Sequence, residues 1–533
     1  MTASCSELGC HGCCGSWNRR AFLKTCGLGA AAVVSGGLHP FATRAAEPAA
    51  SRDWARVAAV FLTSMNTNEI WPYPGFPTAA RQEQVMAALR AGCPEIEFVS
   101  ITIDKPTDLT PVEAVRDQVD GLLVYVMTLD WAQSATVAAL CRFAKPTLVV
   151  DEFLGGCGAF LTACSGLKAQ GVPIACVSTT RLDDVIAVAR VFETVRDARL
   201  TPQRFAEQCG VAYRATFAPR STETCTPDDV RLTSIGKCVE QFQNSRFLIV
   251  GAGNAGQEAS FLGATAHYAE FDELQALYDQ ASPDATSEWA ERWKQKAVPL
   301  VAAKYVEPSS PESDVLPKAA RVYLATLELA KKYRTDSVTM NCLGGFAAGK
   351  LPSYPCLGFM QMLDDGGQGV CEAMPDDTVS MLMARILTGR PGFVSDPALD
   401  TSRNQIVYAH CVGTTKVFGS DGPTNDYRIR TLHNRDPRGA CAESLLPAGY
   451  MTTSFRTNVA TKQLVIHQAR SLGSLDSEQG CRTKLIGEVH GDIEKLFTHW
   501  HQFSWHRVTV YGDVKEPLAE FGRALGLQVV EEA

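Results

Sequence analysis

Short apolar runs alternate with helical patterns through most of this chain. From Arg56 the order is VAAVFLTS, AARQEQVMAALRAG, IEFVSITI, a short helix, GLLVYVMT, WAQSATVAALCRFA and PTLVVDEF. Near-continuous apolar strands have both faces covered, and strands separated by helices of this length pair in parallel. The pattern predicts a doubly wound parallel-sheet (Rossmann-like) domain over residues 53–172. A second series opens with PIACVSTT and LDDVIAVARVFETVRDA and runs through RFLIVGAGNAG, ATAHYAEFD and SVTMNC. It predicts a second such α/β domain over 173–391. After Gly392 the texture changes to short β-type runs, QIVYAHC, QLVIHQAR, RTKLIGEVH and HRVTVYGD, separated by Gly, Asn, Asp and Pro. That spacing predicts a β-rich, barrel-like C-terminal domain over 392–533.

The stretch Asn341 to Asp377 stands at the centre of this plan. It leads from the strand SVTMNC, through a long loop broken by Gly and Pro, to Glu372, a lone acid among small or apolar neighbours. Pro375 suits a first helical position, and Asp376 and Asp377 suit a first turn, where carboxylates meet the positive end of the helix dipole. Val379, Leu382, Met383, Ile386 and Leu387 recur at helical spacing, so one face of that helix is buried. Glu372 therefore lies where strand, loop and helix N-terminus converge, a common position for a binding site. A helix-capping carboxylate would look the same in sequence.

Composition narrows the partners. The chain has 533 residues and a formal net charge of −8, with acids and bases interspersed, which argues against nucleic acid or an anionic membrane surface as a partner. Asn18-Arg19-Arg20-Ala21-Phe22-Leu23-Lys24, followed by an apolar run from Cys26 to about Leu38, has the form of a twin-arginine export signal over residues 1–46. The run is shorter than the roughly 20 apolar residues a span needs, so the expectation is export without stable membrane insertion after cleavage, into the periplasm or another extracytoplasmic space. Five of the 19 cysteines, at 5, 10, 13, 14 and 26, leave with that signal. The other fourteen are scattered, and sequence does not distinguish buried thiols from disulfides.

Gly251-Ala252-Gly253-Asn254-Ala255-Gly256 follows the strand Phe247 to Val250 and matches the dinucleotide fingerprint, with Glu270 at nearly the right distance. Only a short segment separates Gly256 from Gly263, too short for the phosphate-binding helix. The favoured reading is a tight turn that uses glycines for positive φ.

Taken together, AEFDELQALYDQ, NCLGG, PCLGFMQMLDDGGQGVCEA, SMLMARILTGRPGFVSDP, NQIVYAHC and SWHRVTVYGDVKEPLAEFGRALGLQVV resemble, in order, the L-fucose isomerase and L-arabinose isomerase superfamily, and especially its diverged fucose-isomerase-like members. The resemblance covers roughly Arg246 to the C-terminus. It implies carbohydrate metabolism, an aldose–ketose isomerase that moves a proton between C1 and C2 through an enediol, and a divalent metal, usually manganese, with Zn2+ or Co2+ as alternatives. It also implies a monosaccharide substrate and a homo-oligomer, a trimer or hexamer. By motif, Glu372 matches the metal-binding Glu, His410 the His of an AH motif, and His506 the first His of an HH pair. A hard ion held by carboxylate and imidazole polarises sugar oxygens while flanking carboxylates carry the proton.

The departures are as informative. Met374 stands where the acidic motif normally has Asp, Arg507 where the HH pair has its second His, and Gly344 and Gly345 near where an earlier catalytic Glu is expected. The expectation is a metal set of Glu372, His410 and His506, with Asp365 or Asp376 as catalytic substitutes beside Glu372, and isomerase activity altered or lost. The alternatives are an exported sugar-binding protein without turnover and a nucleotide-dependent oxidoreductase built on the Gly251 motif.

Overall fold

The structure is a computed structural model that describes residues 54–65, 71–299, 313–433 and 439–533. The export signal read over residues 1–46 lies outside the described residues.

Five strands form the first sheet: β1 (Ala55–Leu62), β2 (Ile96–Ile103), β3 (Gly121–Val126), β4 (Thr147–Asp151) and β5 (Ala175–Ser178). Their order is β2-β1-β3-β4-β5, and every pair is parallel. The side chains of β1 alternate between two cores, as a strand buried on both faces requires. Ala58, Val60 and Leu62 join a core with the helices Gln133–Cys141 and Cys157–Ala169, while Val57, Ala59 and Phe61 join one with the helices Thr78–Gly92, Leu182–Ala189 and Pro202–Arg214. Burying each large apolar side chain is worth about 1.5–3 kcal/mol, so this central strand anchors both layers. The run PIACVSTT, placed by sequence at the head of the second series, supplies the fifth strand of this sheet. Its apolar pattern does not encode which edge it joins.

The second sheet contains β6 (Arg246–Val250), β7 (Glu258–Phe261), β8 (Ala264–Ala269), β9 (Ser337–Met340) and β10 (Gln368–Cys371) in the order β10-β9-β6-β8-β7. Four of the strands are parallel, and β7 is an antiparallel edge hairpinned onto β8. The GAGNAG segment is the turn between β6 and that hairpin, with positive φ at Gly251, Gly253 and Gly256. It opens no helix, so the helix N-terminus that would receive a pyrophosphate is missing. A Cβ on Gly251 would also lie 2.0 Å from the Phe271 ring.

The C-terminal region is a closed six-strand antiparallel barrel. Its strands are β11 (Phe393–Asp400), β12 (Gln405–His410), β15 (Ala448–Asn458), β16 (Gln463–Ser474), β17 (Thr483–His490) and β18 (Arg507–Tyr511). They run β15-β18-β11-β12-β17-β16 and close by β15 pairing with β16. The short ribbon β13 (Tyr427–Arg430) and β14 (Cys441–Ser444) lies in a long insertion, and β19 (Gln528–Glu531) adds in parallel to the free end of β16. The barrel shares one core with each open sheet. Phe393, Leu399, Tyr408 and Leu485 pack with the first, and Phe455, Ile466 and Val508 with the second.

Among the described residues no helix is long and apolar enough to cross a membrane.

Candidate metal centre

Glu372 reaches its place by an unusual backbone path. The segment expected to be a long loop holds two short helices, Cys342–Ala347 and Cys356–Asp364, and then β10, which ends at Cys371. Glu372 and Ala373 follow with φ of 69° and 51°, two consecutive non-glycine residues in the left-handed region. Each costs on the order of 1–3 kcal/mol unless its surroundings enforce it, so the elbow is held by what it positions. One restraint is visible: Ala373 N–H donates to Met340 O at 2.9 Å. Met374 and Pro375 then begin the helix Pro375–Thr388, which buries Val379, Leu382, Met383 and Leu387 as their spacing predicts.

Three further side chains come from one end of neighbouring barrel strands. Asp396 lies on β11 opposite Ala409, His410 ends β12, and His506 immediately precedes β18. His410 Nε2 is 3.6 Å from Glu372 Oε1 and 3.9 Å from Asp396 Oδ2. His506 Nε2 is 3.6 Å from Glu372 Oε2 and 2.9 Å from Asp396 Oδ1. His410 Nε2 and Asp396 Oδ1 are buried with no aligned hydrogen-bond partner. Two carboxylates and two imidazoles converge, with one polar atom of Asp396 and one of His410 unsatisfied, which fits a shared divalent cation. Glu372, His410 and His506 form a group able to hold a metal ion. Glu372 is the member facing solvent, with 17% of its side chain exposed against 1–7% for the others.

Charge and orientation are set from behind. His506 Nδ1 contacts Asp377 Oδ2 at 2.6 Å, and Asp377 Oδ1 accepts from Arg456 Nε at 2.7 Å. Arg456 in turn donates to Phe503 O at 3.0 Å. A carboxylate on one ring nitrogen directs the other toward a metal and raises its basicity. Burial opposes charge on His506, but Asp377 and Asp396 outweigh it and hold the imidazole well above its ordinary range. Burial would likewise raise the carboxyl of Glu372, but the adjacent imidazoles of His410 and His506 bring it below the usual value. Asp377 is also lowered, with Arg456 and His506 overcoming its burial. Substituting Asp377→Asn should keep the shape but lower metal affinity about 10–100-fold, as loss of such supporting carboxylates does. Competition with a chelator of known affinity measures this.

The structure brings together Glu372, His410 and His506 as the sequence suggests. It gives the other two acids different partners. Asp365 is an exposed helix-end residue that accepts from Gln361 at 2.9 Å and Tyr323 at 3.5 Å. Asp376 accepts from Val459 N–H at 3.1 Å and lies 3.9 Å from Arg456. No acid occupies the position sought before Glu372; the second carboxylate beside the histidines is Asp396, 24 residues after it (396 − 372 = 24). At Gly345 a Cβ would already meet the Phe271 ring at 2.3 Å, leaving no room for a side chain. Arg507, in the position of a second His, points instead to Glu532. Sequence reasoning missed Asp396, Asp377 and Arg456. One signal was present for the first, an acid beside a proline inside the apolar strand FVSDPALD.

Tryptophans from two regions close the neighbourhood. Trp505 Nε1 donates to Pro397 O at 3.1 Å, and Trp71 and Trp131 stand edge-on to Trp505 at 5.4 and 5.1 Å. A larger cavity of about 160 Å3 lies elsewhere, bordered by Arg214, Arg220, Ser402 and Asp492, and includes none of the candidate ligands.

No protein-family model and no curated protein matches this chain.

Proposed function

We propose that this protein binds a divalent metal at Glu372, Asp396, His410 and His506 and uses it for proton transfer on a monosaccharide, as an aldose–ketose isomerase of the fucose/arabinose type. The observation that carries the reading is the meeting of two carboxylates and two imidazoles within 2.9–3.9 Å, with orphaned polar atoms at their centre. Asp396 supplies the second acid that Met374 and Gly344 do not, which favours turnover over binding alone.

When bound, the ion polarises neighbouring sugar oxygens. Manganese is the proposed occupant, since two carboxylates favour a hard ion, with zinc and cobalt accommodated by the imidazoles. Glu372 is the accessible carboxylate, placed beside the ion to carry the proton between carbons. Asp377 and Arg456 hold the His506 ring in register. The same reading takes the two open sheets as doubly wound and Rossmann-like, supported by the alternation of β1 between two cores.

Incubation with manganese and aldoses in deuterated water tests the reading. Deuterium incorporation at C2 of the recovered aldose, or at C1 of the ketose, is expected. Saturable sugar binding with no exchange for any aldopentose or 6-deoxyhexose would replace isomerase with sugar-binding protein.

A further inference from the structure

On the far side of His410 the chemistry turns from oxygen to sulfur. Cys371 ends β10 and Cys411 follows β12, and their Sγ atoms lie 3.4 Å apart, both side chains buried. Cys411 Sγ is also 3.4 Å from His410 Nδ1. The donor atoms of Cys371, His410 and Cys411 all lie within 4.8 Å of one another. Cys356 contacts Cys411 and Cys441, and Cys342 contacts Cys371, so five thiols from separate elements meet around this point. A void of about 10 Å3, room for about one water-sized body, borders Cys371 and His410.

We propose that Cys371, Cys411 and Nδ1 of His410 form a second metal site, for a soft or borderline ion such as Zn2+ or Cu+, with Cys356 as a further sulfur beside Cys411. Thiolates select such ions over the hard ions that carboxylates prefer. Bond lengths of about 2.3 Å to sulfur and 2.0 Å to nitrogen place tetrahedral ligands about 3.8 Å (S to S) and 3.5 Å (N to S) apart. The Cys371–Cys411 and Cys411–His410 separations of 3.4 Å each need to change by only a few tenths of an ångström. Binding releases one proton from each thiol, and both electron pairs go to the ion with no change of oxidation state. His410 is then shared, Nε2 toward the carboxylates and Nδ1 toward sulfur, so an ion on the sulfur side fixes the ring orientation that the first site uses. The proposal does not rest on the isomerase reading.

Cobalt(II) added to the reduced full-length protein without oxygen provides the test. An intense near-ultraviolet sulfur-to-cobalt charge-transfer band should grow to one equivalent, vanish in Cys371→Ser and in Cys411→Ser, and survive in Glu372→Gln. In the unaltered protein, zinc should protect Cys371 and Cys411 from alkylation at least tenfold, read by mass spectrometry, which keeps the test decisive if a serine variant misfolds. Absence of the band from the unaltered protein, its persistence in both serine variants, or recovery of Cys371 and Cys411 joined as a disulfide would each overturn the proposal. Loss of manganese binding with the cobalt band intact would count against the carboxylate site alone.

Discussion

Changing Asp396 to Asn is expected to empty the metal centre as thoroughly as changing Glu372 to Gln. The reasoning is one of charge. Two carboxylates balance a divalent ion, whereas with one the ion keeps a net positive charge in a pocket where three of four ligands are nearly sealed from water. Unbalanced buried charge costs several kcal/mol, and about 4 kcal/mol corresponds to roughly a thousandfold in affinity. Both substitutions preserve side-chain volume, so misfolding is not the expected cause. Metal counted per chain after dialysis against manganese should fall from one to near zero in each variant, while Asp365→Asn keeps full occupancy. Retention of metal by Asp396→Asn would mean that the ion is held by Glu372 and the imidazoles alone.

The second large effect falls on stability. Glu532→Gln should destabilise the protein by about 3–5 kcal/mol, the cost of leaving a buried charge without its partner. Glu532 is fully buried and accepts from Arg507 Nη2 at 2.6 Å and Nε at 2.8 Å, with His467 Nδ1 at 2.8 Å. Arg507 is itself fully buried, its guanidinium stacked 3.9 Å from the Trp500 ring. Burial alone would raise the carboxyl of Glu532, but the charge of Arg507 and the hydrogen bond with His467 bring it from 4.5 down to about 2. A folded-state pKa below the unfolded one means that the stabilisation is complete above pH 4.5 and is lost as pH falls through about 2. That shift is worth on the order of 3 kcal/mol. Urea unfolding at pH 7 and at pH 3 measures both parts. The difference between variant and unaltered protein should be large at pH 7 and shrink toward pH 3, and an equal difference at both would deny the ion pair its role.

How far the site was legible depended on what each residue's surroundings reveal in one dimension. Glu372 was readable as a lone acid where strand, loop and helix meet, whereas His410 and His506 were marked only by the motifs of the resemblance. Asp396 was hidden inside FVSDPALD, where an isolated acid reads as an interruption of a strand rather than as part of a site. Asp377 was read correctly as a first-turn carboxylate, but its bond to His506 joins residues 129 apart and leaves no local trace. The two short helices before β10 were missed for a different reason. The helix Cys356–Asp364 is buried along its whole length, so it has no polar face to give a helical period. The GAGNAG turn matched its motif in letters, but the short spacing to Gly263 already marked it as a tight turn, and the structure places positive-φ glycines and a hairpin there.

Closing the C-terminal sheet into a barrel has a consequence for self-association. A closed sheet offers no row of free N–H and C=O groups to another chain, so besides the short strand β19 and the ribbon of β13 and β14, strand addition falls to the rims of the two open sheets. Those rims are β2, β5, β7 and β10. Three of them are only four residues long, and β7 also carries an exposed Glu258. The remaining rim is β2, eight residues reading IEFVSITI, rich in β-branched side chains. Its guard is the helix Thr78–Gly92, whose Gln82 bridges Ser100 and Thr102 at 2.8 and 2.9 Å. Whatever loosens that helix exposes an eight-residue edge segment suited to seed aggregation.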